Sequence, residues 1–138
     1  MDPTAHHFAV TVSDLDRAVA FYRDTLGLDV LTEFSVGGEA FATGVGVDGA
    51  SADFVHMDAG DARVELVEYT PEGETAAETA LNQPGATHLG LEVDDLDAVY
   101  DDLADGVETI AEPQTTESGT RICFLRDPDG TLVELLEL

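Results

Sequence analysis

His7-Phe8-Ala9-Val10-Thr11-Val12-Ser13-Asp14-Leu15-Asp16 returns, at an offset of 81 residues, as His88-Leu89-Gly90-Leu91-Glu92-Val93-Asp94-Asp95-Leu96-Asp97. In both copies a histidine opens a short strand-like run, and Asp-Leu-Asp begins seven residues after it. A second pair recurs at an offset of 69, Val64-Glu65-Leu66-Val67-Glu68 matching Val133-Glu134-Leu135-Leu136-Glu137. Two matched pairs in the same order, in a chain of 138 residues, point to two related modules. The first spans residues 1–70, the second 86–138, and residues 71–85, with Pro71, Gly73 and Pro84, form the linker.

The modules share one pattern. An alternating strand leads to a helix that starts near Asp-Leu-Asp, where Ser13 or Asp14, and Asp94 or Asp95, can cap free backbone N–H groups. The first helix carries Leu15, Ala18, Val19, Tyr22 and Leu26 on one stripe and ends near Gly27. The second carries Leu96, Val99, Tyr100 and Leu103 and ends near Gly106. Strands are expected over about 28–36, 53–58 and 62–69, and again over 107–111, 120–126 and 131–137. Asp58-Ala59-Gly60-Asp61 and Asp127-Pro128-Asp129-Gly130 read as the turns joining the last two strands of each module. Residues 37–50, with five glycines, read as a mobile loop or a weak strand, and 74–82 as a short helix within the linker.

Strand parity converts the repeat into chemistry. Side chains alternate between faces, so Phe8, Val10 and Val12 pack under the helix while His7, Ala9 and Thr11 face away. By the same rule Val64 and Leu66 face the helix, with Arg63, Glu65 and Val67 opposite. In the second module Leu89, Leu91, Val93, Val133 and Leu135 face the helix, leaving His88 and Glu134 on the far side. Each module thus presents one histidine and one glutamate on the face away from its helix. If the two curved sheets meet about a pseudo-twofold axis, His7, Glu65, His88 and Glu134 converge in one cup. Imidazole nitrogen with carboxylate oxygen suits one divalent ion, Zn²⁺, Ni²⁺, Fe²⁺, Mn²⁺ or Co²⁺. His6 has the opposite parity to His7, and its counterpart is Thr87. His56 also lacks a counterpart in the repeat, so both are read as structural or surface residues. Arg63 shares the face of Glu65 and is a candidate for holding an anionic substrate group; a salt bridge to a neighbouring carboxylate is its simpler fate. Arg121 is a further candidate of the same kind.

Composition bounds the partners. Thirty acidic residues stand against five basic ones, all arginine, for a formal net charge of −25. A disordered acidic chain would be poor in apolar residues, whereas this one is 43% hydrophobic, enough for one compact core. The reading is a folded domain with a solvated carboxylate coat, suited to high salt, where self-repulsion is screened. That charge argues against nucleic acid and against an anionic membrane surface. No apolar run approaches a membrane span, and the N-terminus lacks the basic start and apolar stretch of a signal peptide. Cys123 is the only cysteine, which excludes an internal disulfide, fits a reducing cytoplasmic setting, and is read as a small buried hydrophobe.

The stretch from His7 through Asp14-Leu15-Asp16-Arg17-Ala18 to Phe21-Tyr22-Arg23-Asp24-Thr25-Leu26-Gly27-Leu28 resembles the glyoxalase, bleomycin-resistance and ring-cleaving dioxygenase superfamily of vicinal-oxygen-chelate proteins. So does Phe124-Leu125-Arg126-Asp127-Pro128-Asp129-Gly130-Thr131-Leu132-Val133-Glu134-Leu135. The resemblance implies an α+β fold of two tandem βαβββ modules forming a metal-binding cup, a small-molecule substrate and a homodimer. Glyoxalase I-like members take one ligand from each end of both modules, which maps to His7, Glu65, His88 and Glu134. It implies a lyase or isomerase in which the metal stabilises an enediolate and a glutamate moves the proton, Glu134 first and Glu65 second. Bacterial glyoxalase I-like sequences often carry an arginine for the glutathione carboxylate four residues after the first histidine. Thr11 stands there, so a different substrate is expected. Methylmalonyl-CoA epimerase-like members commonly have glutamine at the place of Glu65. A dioxygenase would need only His7, His88 and Glu134, and a bleomycin-resistance-like binding protein would need none of the four.

Overall fold

The computed structural model describes residues 1–138, which divide into two units, Met1–Ala76 and Ala77–Leu138. In the first unit β1 (His7–Thr11) leads into α1 (Leu15–Ala20), which continues as a π-helical turn over Phe21–Thr25. Then come β2 (Val30–Val36), α2 (Glu39–Val45), β3 (Ser51–Asp58) and β4 (Arg63–Thr70). The second unit holds β5 (Leu89–Glu92), α3 (Leu96–Asp101), β6 (Gln114–Thr115), β7 (Arg121–Arg126) and β8 (Leu132–Glu137). Each unit forms one four-stranded sheet of the same order, β1-β4-β3-β2 and β5-β8-β7-β6. The opening strand pairs parallel to the last one, and the remaining pairs are antiparallel. This is the α+β, twice-repeated arrangement that the two sequence matches predict.

The same carboxylate device starts both helices. Asp14 and Asp95 are the N-caps, accepting from Arg17 N–H and Ala98 N–H at 3.0 and 2.9 Å. The second glutamate of each matched pair adds a long-range cap. Glu68 Oε2 accepts from Leu15 N–H at 3.1 Å, and Glu137 Oε2 from Leu96 N–H at 2.8 Å. Negative charge at these free helix-start amides also complements the positive end of the helix dipole. The recurrence of Glu68 as Glu137 therefore has a structural reason, distinct from that of Glu65 and Glu134.

α1 packs on β3 and β4, and α3 on β7 and β8. Val10, Val12, Val55, Met57, Val64 and Leu66 are buried with Ala18, Val19 and Tyr22 in the first unit. Leu89, Leu96, Cys123, Leu125, Val133 and Leu135 are the buried counterparts in the second. Leu66 is fully enclosed, so Leu66→Ala should lower the unfolding free energy by about 2–5 kcal/mol. Denaturant unfolding measures this, and a loss below about 1 kcal/mol would contradict the packing of β4 against α1. Burial also pushes the Cys123 thiol up, which keeps it protonated and fits its place in the core.

Three expected elements differ. Residues 37–50 contain α2, because Gly38 and Gly46, both at positive φ, flank the helix instead of interrupting it. Phe41 then packs on Phe54 and Tyr69, with ring centroids 6.2 Å apart in each pair. The strand expected at 107–111 reduces to one bridge, Thr109 with Leu125, and regular pairing resumes only at β6, after Pro113 has removed a backbone donor. Residues 74–82 form no helix. They are exposed throughout, and a short helix with no face to bury is marginal in water.

With 30 acidic residues against five basic ones, self-repulsion opposes compaction. Raising ionic strength from 0.01 M to 1 M shortens the Debye length from about 30 Å to about 3 Å. The thermal midpoint should therefore rise with salt across that range, and a flat or falling profile by circular dichroism would contradict this.

Candidate metal centre

The register of β1, β4, β3 and β2 decides which side chains share the face away from α1. His7 pairs with Arg63, Ala9 with Glu65 and Thr11 with Val67. Across the hairpin Glu65 stands opposite His56, Val67 opposite Phe54, and Tyr69 opposite Ala52. His56 in turn pairs with Thr32, and Phe54 with Phe34, whose rings stack at 5.0 Å. On this face His7 Nε2 lies 3.7 Å from Glu65 Oε1. The other carboxylate oxygen, Oε2, lies 2.6 Å from His56 Nε2. Arg63 Nη1 approaches the far ring nitrogen, His56 Nδ1, at 3.3 Å. His6 Nδ1 and His7 Nδ1 are 2.8 Å apart, an arrangement that leaves His7 Nε2 turned toward Glu65.

The second sheet repeats the motif with fewer partners. Gly90 and Phe124 flank Glu134 on either side, and His88 Nε2 lies 3.2 Å from Glu134 Oε2. Phe124 meets the His88 ring edge-on, with centroids 5.1 Å apart. The Glu134 side chain is 21% exposed and Glu65 12%, while both histidines are accessible.

Each sheet therefore brings its own expected pair together, His7 with Glu65 and His88 with Glu134. Thr11 is exposed on the face of His7. Arg63 is on the face of Glu65 as parity requires, but its guanidinium points at His56. Arg121 is different. It lies three positions before Phe124, hence on the opposite face, where Asp97 of α3 takes two of its N–H groups at 2.6 and 3.1 Å. The hydrogen bond with Asp97 raises its pKa further. That ion pair fastens α3 to β7 and places Arg121 away from the histidine–glutamate face.

His56 is the residue that sequence reasoning set aside. It is 6% exposed and directly bonded to a candidate ligand. The signal was present in the turn. Gly60 N–H bonded to Asp58 Oδ1, and Ala59 N–H bonded to the Ala62 carbonyl, fix a tight hairpin in which positions 56 and 65 must face one another.

In donor chemistry each pair, one imidazole nitrogen with one carboxylate oxygen, suits a borderline divalent ion. No three His, Cys, Asp or Glu side chains stand together as a metal-holding group. His56 is close to His7 and Glu65, yet its Nε2 is taken up by Glu65 Oε2. No helix is long and apolar enough to cross a membrane.

Residues 4–135 match the family model of the Glyoxalase/Bleomycin resistance protein/Dioxygenase superfamily. The chain belongs to that superfamily. It is 31% identical over 134 residues to a probable lactoylglutathione lyase of Synechocystis, a match covering 95% of this chain and 92% of the relative. Against a 2-epi-5-epi-valiolone epimerase from an Actinomyces species it is 29% identical over 143 residues, covering 96% and 78%. Among solved structures, a glyoxalase family protein from Bacillus cereus superposes with a TM-score of 0.83 at 25% identity, covering 96% of this chain and 91% of that one.

Proposed function

We propose that the protein is a divalent-metal enzyme that moves a proton at a carbon next to a carbonyl, as a lyase or isomerase acting on a small molecule. His7, Glu65, His88 and Glu134 would hold the ion, and Glu134 would be the base. The observation that carries this reading is the recurrence of one accessible histidine beside one half-buried glutamate, in the same phase of both sheets. Membership of the superfamily and similarity to a probable lyase and to an epimerase support it, since both kinds of reaction can pass through such a proton transfer.

A bound ion supplies positive charge beside a hydroxyl and carbonyl pair, which acidifies the neighbouring C–H. Glu134, with His88 as its one close polar neighbour, takes the proton and returns it to the adjacent carbon or to the opposite face. Glu65 is tied to His56 and stays where it is. Thr11 offers no charge to a substrate carboxylate, and Arg63 is directed at His56, so the first sheet presents no free cation for a glutathione arm.

A ring-cleaving dioxygenase would use His7, His88 and Glu134 alone, and the hydrogen bond that occupies Glu65 favours that second reading. Three probes separate them: a glutathione hemithioacetal, an acyl-CoA epimer and a catechol, each given to metal-loaded protein in molar salt. Conversion of a carbonyl substrate, with the catechol left intact, is the expected result. Ring cleavage without any carbonyl conversion would transfer the assignment to the dioxygenase.

A further inference from the structure

The two sheets repeat the histidine and the glutamate but not what surrounds the glutamate. Opposite Glu65 stands His56, and opposite Glu134 stands Phe124. The position of Arg63 at the start of β4 is taken in β8 by Leu132. A polar His–Arg pair in one sheet thus replaces an apolar Phe–Leu pair in the other.

The polar pair admits one proton arrangement. A guanidinium only donates, so His56 Nδ1, 3.3 Å from Arg63 Nη1, is the accepting nitrogen and carries no proton. A carboxylate only accepts, so His56 Nε2, 2.6 Å from Glu65 Oε2, carries the proton and donates it. Both bonds demand the same tautomer. His56 is 6% exposed, so water offers it little alternative. The ring therefore grips one oxygen of Glu65 and leaves the other, Oε1, facing His7. Phe124 gives Glu134 no such grip, because a phenyl ring cannot donate to a carboxylate; its hydrogen bond, longer at 3.2 Å, is with His88, an accessible ring that is itself a candidate ligand.

We propose that His56, held in its Nε2–H form by Arg63 on one side and Glu65 on the other, is a positioning residue for Glu65. It fixes Glu65 as the static carboxylate and leaves Glu134 as the one free to swing. This rests on the metal-site reading above, and it assigns Arg63 to His56 instead of to a substrate anion.

Two measurements test it. Long-range ¹H–¹⁵N correlation on the metal-free protein, with His56→Gln used for assignment, should show His56 protonated at Nε2 and bare at Nδ1. In Arg63→Met the Nε2–H form should persist, because Glu65 still demands it, and the Nδ1–H form should appear only when Glu65→Ala is added. A wild-type His56 protonated at Nδ1 overturns the proposal. Zn²⁺ titration calorimetry then compares variants. His56→Phe, which gives the first sheet the partner found in the second, should weaken binding roughly 10- to 100-fold. His56→Gln keeps an N–H donor and should recover most of the loss. Equal Zn²⁺ affinity in wild type and His56→Phe overturns the positioning role, and if His56→Phe does not fold, the tautomer result decides alone. Wild-type protein that takes up no Zn²⁺ sinks the metal reading instead, while the tautomer still decides whether His56 holds the carboxylate.

Discussion

Glu134→Gln should keep most of the bound metal and lose about 10²- to 10⁴-fold in turnover, the usual effect of removing a general base. Glutamine retains an oxygen donor at the same point of β8, between Gly90 and Phe124, so the local packing is preserved. What disappears is basicity. Glu65→Gln should behave differently, because its carboxylate accepts from His56, and an amide oxygen can still accept that bond. The expected order of turnover is therefore wild type, then Glu65→Gln, then Glu134→Gln. Steady-state kinetics with metal content measured on the same samples checks it. Equal activity of Glu134→Gln and wild type, with metal bound, would remove the proton-transfer mechanism.

His7→Ala and His88→Ala should each abolish stoichiometric binding of the divalent ion, whereas His6→Ala should not. His7 and His88 both turn Nε2 toward a glutamate, at 3.7 and 3.2 Å, on the face away from the helix. His6 meets His7 only through the two Nδ1 atoms, so its loss frees His7 to rotate but removes no donor from the set. A modest weakening is expected, of the kind seen when a partner that orients a ligand is lost. Elemental analysis of the three purified variants reads the outcome, and equal metal content in all of them would overturn the ligand assignment.

The modular plan was legible because two independent signals coincide in each half. A period of two places His7 and Glu65, or His88 and Glu134, opposite the apolar set, and Asp-Leu-Asp marks the helix start. Asp14 and Asp95, not Ser13 or Asp94, are the caps, a distinction of one residue that spacing alone leaves open. The role of His56 is not legible from parity within a single strand. Which face it shares with Glu65 depends on the hairpin register between Asp58 and Arg63, a relation between strands. Arg121 is hidden for a related reason. Its face follows from counting back from Phe124, and its partner Asp97 lies 24 residues away. The helix at 39–45 was obscured by glycine content, since glycines that end a helix look in sequence like those that prevent one.

Proton transfer by Glu134 next to a substrate carbonyl, with a divalent ion present, is the step on which the proposed function stands. Its most direct test is solvent exchange in deuterium oxide, at molar salt, with metal-loaded wild type and Glu134→Gln side by side. A glutathione hemithioacetal and an acyl-CoA epimer serve as probes, and mass spectrometry follows the carbon adjacent to the carbonyl. Deuterium is expected at that carbon with wild type for at least one probe, with a loss of about 10²-fold or more in the variant. Exchange that proceeds equally in both proteins, or metal-loaded wild type that exchanges neither probe while cleaving a catechol, would contradict it.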